Sequence, residues 1–470
     1  MIWWTLQQLK AKSPKTRWKA IEKLAREKES QAWDSLVKML EDGEVEVRIA
    51  AVRALGTFKE ERTVAALAKA LQDATESVRE AAVICLKQVG SPEAFRPLVD
   101  SLRDQSSSVR WQAAKGLKEL GWEAAENSQR ALHLVALGEI ENATIFGSDA
   151  IEAIMMVLRD GADYQRLAAV EALSQILDGR IVSLLIGVLK DRDEPVRSAA
   201  VDALRKIGDE RAVEPLIDVL KDSYHQIRAA AAEALGQLGH SQAIEPLVKL
   251  LRDKNWEARA AAVVALGKFR HPQTVDPIVS VLNDPDREVR EAAVKALELI
   301  GDPRAIGPLV SVLKDEQDII RQAAQRALET LDPNWQRTRA AQASVPQLKA
   351  ALKDKEYWVR QAAASALAKI GGIHAPAANL NSLAQPFYYR RQAALEVLIS
   401  TLVDFDPELR IASAEALGRI GQTAAIRPLL RALQDGNTGV RIAAAKALEL
   451  LYGKPTPETN LILRSDLFPK

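Results

Sequence analysis

Apolar residues along this chain recur at the i, i+3, i+4, i+7 spacing of amphipathic helices, and no segment alternates with a period of two. The segment AVEPLIDVLKD (212–222) carries one such stripe and predicts a short helix. The segment VREAAVKALELIG (289–301) carries an alanine-rich stripe and predicts a second helix of about three turns. The two patterns alternate through nearly the whole chain, so helices are expected throughout and strands are not. Prolines 97, 215, 246, 277, 308 and 428 fall at or near the first turn of the first pattern, where no backbone donor is lost. Gly90, Gly121, Gly208, Gly239, Gly301, Gly371 and Gly421 share one position just past the second, where a left-handed residue ends a helix.

The alternation has a fixed period. An aspartate, then an arginine six residues later, opens the second helix, as in DGEVEVRIAAVRALG (42–56) and DPDREVREAAVKALELIG (284–301). The marker arginines are Arg17, Arg48, Arg79, Arg110, Arg166, Arg197, Arg228, Arg259, Arg290, Arg321, Arg360, Arg410 and Arg441. Nine of the twelve gaps are 31 residues, and the others are 56, 39 and 50. The excess defines three insertions of 25, 8 and 19 residues. A lone pair of short helices cannot bury its own apolar face, so neighbouring pairs must stack. The 470 residues therefore read as one repeating array rather than the three globules that length alone suggests.

A helix pair with Pro in its first helix, Asp in the turn and Val-Arg opening the second resembles the HEAT repeat. The short, alanine-rich, 31-residue version is similar to the phycobilisome-lyase-type HEAT-like repeat. Twelve of thirteen units keep the Asp-to-Arg spacing; in the first, Ala11 stands in place of Asp. The resemblance implies an all-α fold, an α-α superhelix of about 13 helix pairs with three insertions. It implies a concave face lined by the second helices, and it raises a bilin lyase-like or phycobiliprotein chaperone-type role as an alternative function. Di-iron hydroxylases of HEAT-like fold use His-Glu dipeptides, yet none of His133, His225, His240, His271 and His374 is followed by Glu. Tetratricopeptide and ankyrin signatures do not recur.

Composition narrows the function. Apolar residues make up 47% and aromatics only 5%, consistent with thin helices stacked closely. With 64 basic and 63 acidic side chains the net charge is +1, which disfavours non-specific nucleic-acid binding. One cysteine, Cys85, excludes an internal disulfide framework and a cysteine-based zinc site. No 18-residue apolar run exists, and MIWWTLQQLKAKSPK lacks a signal-peptide core, so a cytoplasmic protein without a metal or cofactor is expected.

The marker arginines are expected to be structural: each Asp accepts hydrogen bonds in its turn while Arg links neighbouring units. Partner contacts are sought elsewhere. Five residues after the marker stand Glu171, Asp202 and Glu233, then Val264, then Lys295 and Arg326, an acidic run passing into a basic pair. One residue after it stand Trp18 and Trp111, as anchors or as tucked ring closures. The insertion near 332–341 carries Trp335, Arg337 and Arg339; that near 372–390 ends in Phe387, Tyr388, Tyr389 and Arg390. Aromatic plus arginine is hot-spot composition. The chain thus divides into repeats 1–121, a helical insertion 122–146, repeats 147–331, an insertion 332–341, a repeat 342–371, an insertion 372–390, repeats 391–452 and a tail 453–470. The function this implies is a non-catalytic scaffold or adaptor that grips a protein partner.

Overall fold

The computed structural model describes residues 2–27, 30–58, 61–352, 354, 357–371, 395–396, 398–404, 407–454, 457 and 459. Among them every regular element is a helix, so the solenoid of helix pairs read from the periodicity is the observed fold. The chain forms two compact units, Met1–Ala212 and Val213–Lys470, and the division lies within block 147–331 rather than at an insertion.

The first helix of a repeat usually begins as a single 3-10 turn. Pro272–Thr274 leads into Val275–Val279, and Pro303–Ala305 into Ile306–Val312, so the proline fixes φ where no donor is needed. The second helix is longer, as in Arg287–Ile300, and packs on the first of its own repeat. Second helices also stack on one another. In the N-terminal unit Pro14–Glu27, Val45–Gly56, Glu76–Val89 and Ser107–Glu119 follow side by side. In the C-terminal unit the same holds for His225–Leu238, Trp256–Lys268, Arg287–Ile300 and Asp318–Leu331. Leu247, Leu266, Ile278, Val289, Leu297 and Leu309 are fully buried there, and each such leucine contributes about 1.5–3 kcal/mol.

Small residues set how closely the second helices approach. A Cβ added to Gly236 would lie 2.7 Å from the Ala265 backbone, and one on Gly418 would lie 2.6 Å from that of Ala447. Cys85 occupies the same row: a Cβ on Gly56 would stand 2.7 Å from its Sγ. Where Lys87 takes the larger side of this contact, its methylenes lie against Gly116. Burial pushes the Cys85 thiol up to about 11, so it remains protonated at neutral pH and acts as a core residue.

Each marker arginine does two things at once. Arg259 donates from Nε and Nη2 to the Asp284 carboxylate of the next repeat at 2.8 and 2.7 Å. Its Nη1 donates to the Asp253 carbonyl of its own turn at 2.9 Å. Asp284 in turn accepts the Asp286 N–H at 3.0 Å, closing its own turn. The same fork joins Arg17 to Asp42, Arg48 to Asp73, Arg79 to Asp104 and Arg166 to Asp191 in the N-terminal unit. In the C-terminal unit it joins Arg228 to Asp253, Arg290 to Asp315 and Arg410 to Asp435. Arg197, Arg360 and Arg441 each hold the carbonyl of the aspartate in their own turn.

Of the rungs that meet an insertion, the first two give opposite results. Helix Asn127–Ala136 of the first insertion packs between Ser107–Glu119 and Ile151–Asp160, and Arg110 still reaches Asp160 at 2.7 Å. Arg321 departs from the expected link between repeats: its Nη2 turns onto Asp318 of its own helix, while Nη1 keeps the Asp315 carbonyl.

Two measurements test these features. The Arg166 fork is the main cause that holds the Asp191 carboxyl below its ordinary value, and partial burial opposes it less strongly. A depressed folded-state value means that Asp191 contributes its stability fully above the unfolded value of about 3.8 and loses it as pH falls through the folded value. Asp191→Asn should therefore cost about 3 kcal/mol at neutral pH in urea unfolding, with the gap to the parent protein closing below pH 4. At the helix-end position taken by glycine in Gly239 (φ 68°) and Gly301 (φ 76°), Arg270 is forced to φ 49°. Arg270→Gly relieves that strain and should raise stability by about 0.5–1 kcal/mol, visible as a higher thermal midpoint.

Candidate functional site

With the repeated charges engaged in the rungs, the exposed rows of the second helices carry residues that vary from repeat to repeat. In the N-terminal unit Trp18 is 37% exposed on Pro14–Glu27, and Trp111 is 43% exposed on Ser107–Glu119. Lys115 Nζ stands 5.0 Å from the Trp111 ring centroid, one helical turn on, a cation–π contact on the exposed face. The equivalent residues Ile49 and Leu167 are half-buried. Glu171 is exposed on Asp163–Leu173, while Asp202 is half-buried and accepts from Arg205 of its own helix at 3.0 Å.

In the C-terminal unit the row continues on consecutive, mutually packed helices. Glu233, Val264, Lys295 and Arg326 are all exposed, and Lys295 leans back onto Glu291 at 2.6 Å. Neighbouring members of the row are thus about one interhelical spacing apart, ~8–10 Å. His225 Nε2 meets Glu257 at 2.9 Å between adjacent second helices, a cross-link that the sequence did not reveal, because its two residues hold different register positions.

The expected docking role of Trp335 is corrected by its burial. The 332–341 segment is not an open loop: Trp335–Arg337 is a 3-10 turn packed on Asp318–Leu331 and Tyr357–Gly371, and Trp335 is 0% exposed. The Thr338 hydroxyl accepts the Ala341 N–H and starts helix Arg339–Ala343, which anchors the fold-back. Arg337 and Arg339 remain exposed at its edge. Phe387, Tyr388, Tyr389 and Arg390 lie outside the described residues. Trp3 and Trp4 are 68% and 64% exposed on Ile2–Gln8.

His133 is withdrawn from solvent: burial lowers its pKa, its Nε2 stands 3.0 Å from the Ala114 carbonyl, and its ring abuts Trp122. Among the described residues no three His, Cys, Asp or Glu side chains converge as a metal site. No helix among them is long and apolar enough to cross a membrane.

These helix pairs define the class. The family model for HEAT repeats matches residues 4–82, 66–137, 151–236, 214–279, 244–329, 334–399 and 395–460, and the chain belongs to this family. No curated protein matches it in sequence. Among solved structures it is similar to an engineered protein at 21% identity, covering 89% of this chain and 98% of that one, with a TM-score of 0.33. It is similar at 23% identity to the CpcE–CpcF complex of phycocyanin lyase from Nostoc, covering 53% and 92%, with a TM-score of 0.25. Human deoxyhypusine hydroxylase is also similar at 23% identity, covering 59% and 98%, with a TM-score of 0.24. At these values the likenesses concern the fold.

One buried and one exposed tryptophan give a direct check. Trp335→Ala should cost about 3–5 kcal/mol in chemical unfolding, as for a large core truncation. Trp111→Ala should stay within about 1 kcal/mol, the scale of an exposed cation–π contact.

Proposed function

We propose that this protein is a scaffold or adaptor that holds a protein partner along the exposed row of its second helices. The supporting observation is the polarity of that row in the C-terminal unit. Glu233, Val264, Lys295 and Arg326 stand exposed on four helices packed in sequence. The architecture beneath them repeats, whereas the presented charge passes from acidic through apolar to basic. Such a gradient favours one orientation of a partner with the complementary order and penalises the reverse. The exposed Trp18 and Trp111 supply amphipathic rings on the same register of helices in the N-terminal unit. Arg337 and Arg339, and the 372–390 insertion with Phe387, Tyr388, Tyr389 and Arg390, extend the proposed contact surface.

Crosslinking mass spectrometry in lysate of the source cells, followed by capture with a charge-reversed variant, tests this reading. Crosslinks should involve second-helix lysines such as Lys268 and Lys295. Glu233→Lys combined with Arg326→Glu should reduce capture about tenfold while the helical circular-dichroism spectrum is retained. Unchanged capture by that variant, with no crosslink to the second helices, would overturn the proposal.

A further inference from the structure

Two Arg–Asp rungs also line clefts on the side of the first helices. One cleft, of about 730 Å³, lies over the Arg79–Asp104 rung, and another, of about 520 Å³, over Arg228–Asp253. Both fall in the range of about 300–1,000 Å³ typical of ligand sites. Their walls come from matching register positions. Pro97 and Pro246 correspond, as do Asp100 and Lys249, Gln72 and Lys221, Arg103 and Arg252, and Gln105 and Lys254. The repeat therefore builds the same container twice and changes what lines it.

The lining of the first is balanced: Arg103 is held by Glu152 at 2.8 Å, and Asp100 and Arg96 share the wall. The second is strongly basic. Lys221, Lys249, Arg252 and Lys254 surround it, and the one acid in its lining, Asp253, already accepts two Arg228 bonds at 2.7 Å and the Asn255 N–H at 2.9 Å. Lys221 lies 3.8 Å from Asp218, and Lys249 lies 3.6 Å from Glu245, on pairs so exposed that they screen little of the field. Arg252 and Lys254 form no ion pair among the described residues, and both are exposed. Between the cations run apolar walls from Ile217, Leu220, Pro246 and Leu250.

We propose that this second cleft seats an acidic peptide segment of the partner, with apolar side chains between its carboxylates. This deepens the scaffold reading and rests on it. Carboxylates match the four cations, and the aliphatic walls accept the intervening side chains. A phosphodiester chain fits less well. The positions that would extend the cationic track into the next repeat are Ser280, Asn283 and Pro285, all uncharged, so the positive surface ends after one cleft.

Fluorescence anisotropy of a labelled short peptide of alternating Glu and Leu, titrated with the full chain, tests the proposal. Binding should weaken as salt rises from about 50 to 200 mM. Arg252→Glu combined with Lys254→Glu should lower affinity at least about tenfold, whereas Arg96→Glu in the balanced cleft should change it less than about twofold. If the double reversal does not melt like the parent protein, Arg252→Gln and Lys254→Gln singly should each still weaken binding. Equal affinity in the reversal and the Arg96→Glu control would overturn the assignment, as would tighter binding of oligo-dT than of the peptide. Loss of peptide binding with partner crosslinks to the second helices intact sinks the cleft alone; loss of both sinks the scaffold reading as well.

Discussion

The forked hydrogen bond from one repeat's arginine to the next repeat's aspartate is the constraint on which the rest of the structure depends. Burying two opposite charges gains little net free energy, since desolvation offsets most of their attraction. The leucine and valine layers supply the stability. The rung supplies something those layers lack, because alanine-faced helices slide over one another with little change in buried area. A planar guanidinium facing a planar carboxylate tolerates no such slide. With the side chains of Arg79 and Asp104 only 5% and 10% exposed, a slipped register strands a charge in the interior. Lysine in place of arginine would keep the charge and lose the fork.

The periodic part of this arrangement was legible because each repeated residue keeps the same role in most repeats. Asp closes a turn, Arg spans to the neighbour, and glycine ends a helix, so spacing alone gave the fold. The departures were not legible, because they depend on how a non-repeating stretch folds back. Trp335 sits in a polar-looking segment, DPNWQRTR, whose composition resembles a surface loop. Its burial follows from a 3-10 turn and a threonine cap that bring it between two helices. Likewise the spacing marks a longer gap after Arg321 but does not tell that its rung opens, since Arg110 stands before a still longer gap and keeps its rung. The would-be acceptor of Arg321, Asp354, lies 33 residues on instead of 25, and the Arg321 Nη2 closes locally on Asp318. Of the surface, the charge order on the second helices could be read from register; the clefts of the first helices could not, since they exist only between repeats.

Near-neutrality of the whole chain hides strong local contrast. The rungs pair the repeated arginines and aspartates with one another, and among the remaining charges some are sorted by face. One row of second-helix positions runs from acid to base, and one of two equivalent clefts concentrates cations while the other balances them. Two surfaces of different chemistry are therefore carried by one repeated architecture without altering its core, since the positions that differ lie outside the rung and the buried stripe.

The rung that crosses the first insertion has a consequence for the order in which the chain folds. Ordinary rungs join residues 25 apart, so each repeat can dock as soon as its neighbour exists, and structure spreads stepwise from any starting point. Arg110 and Asp160 are 50 apart, which adds about 0.6 kcal/mol of closure entropy for the doubled loop. Helix Asn127–Ala136 must also be in place between its neighbours before that closure is productive. Closing this rung therefore costs slightly more than closing its neighbours, and its register depends on the inserted helix as well as on the two repeats that it joins.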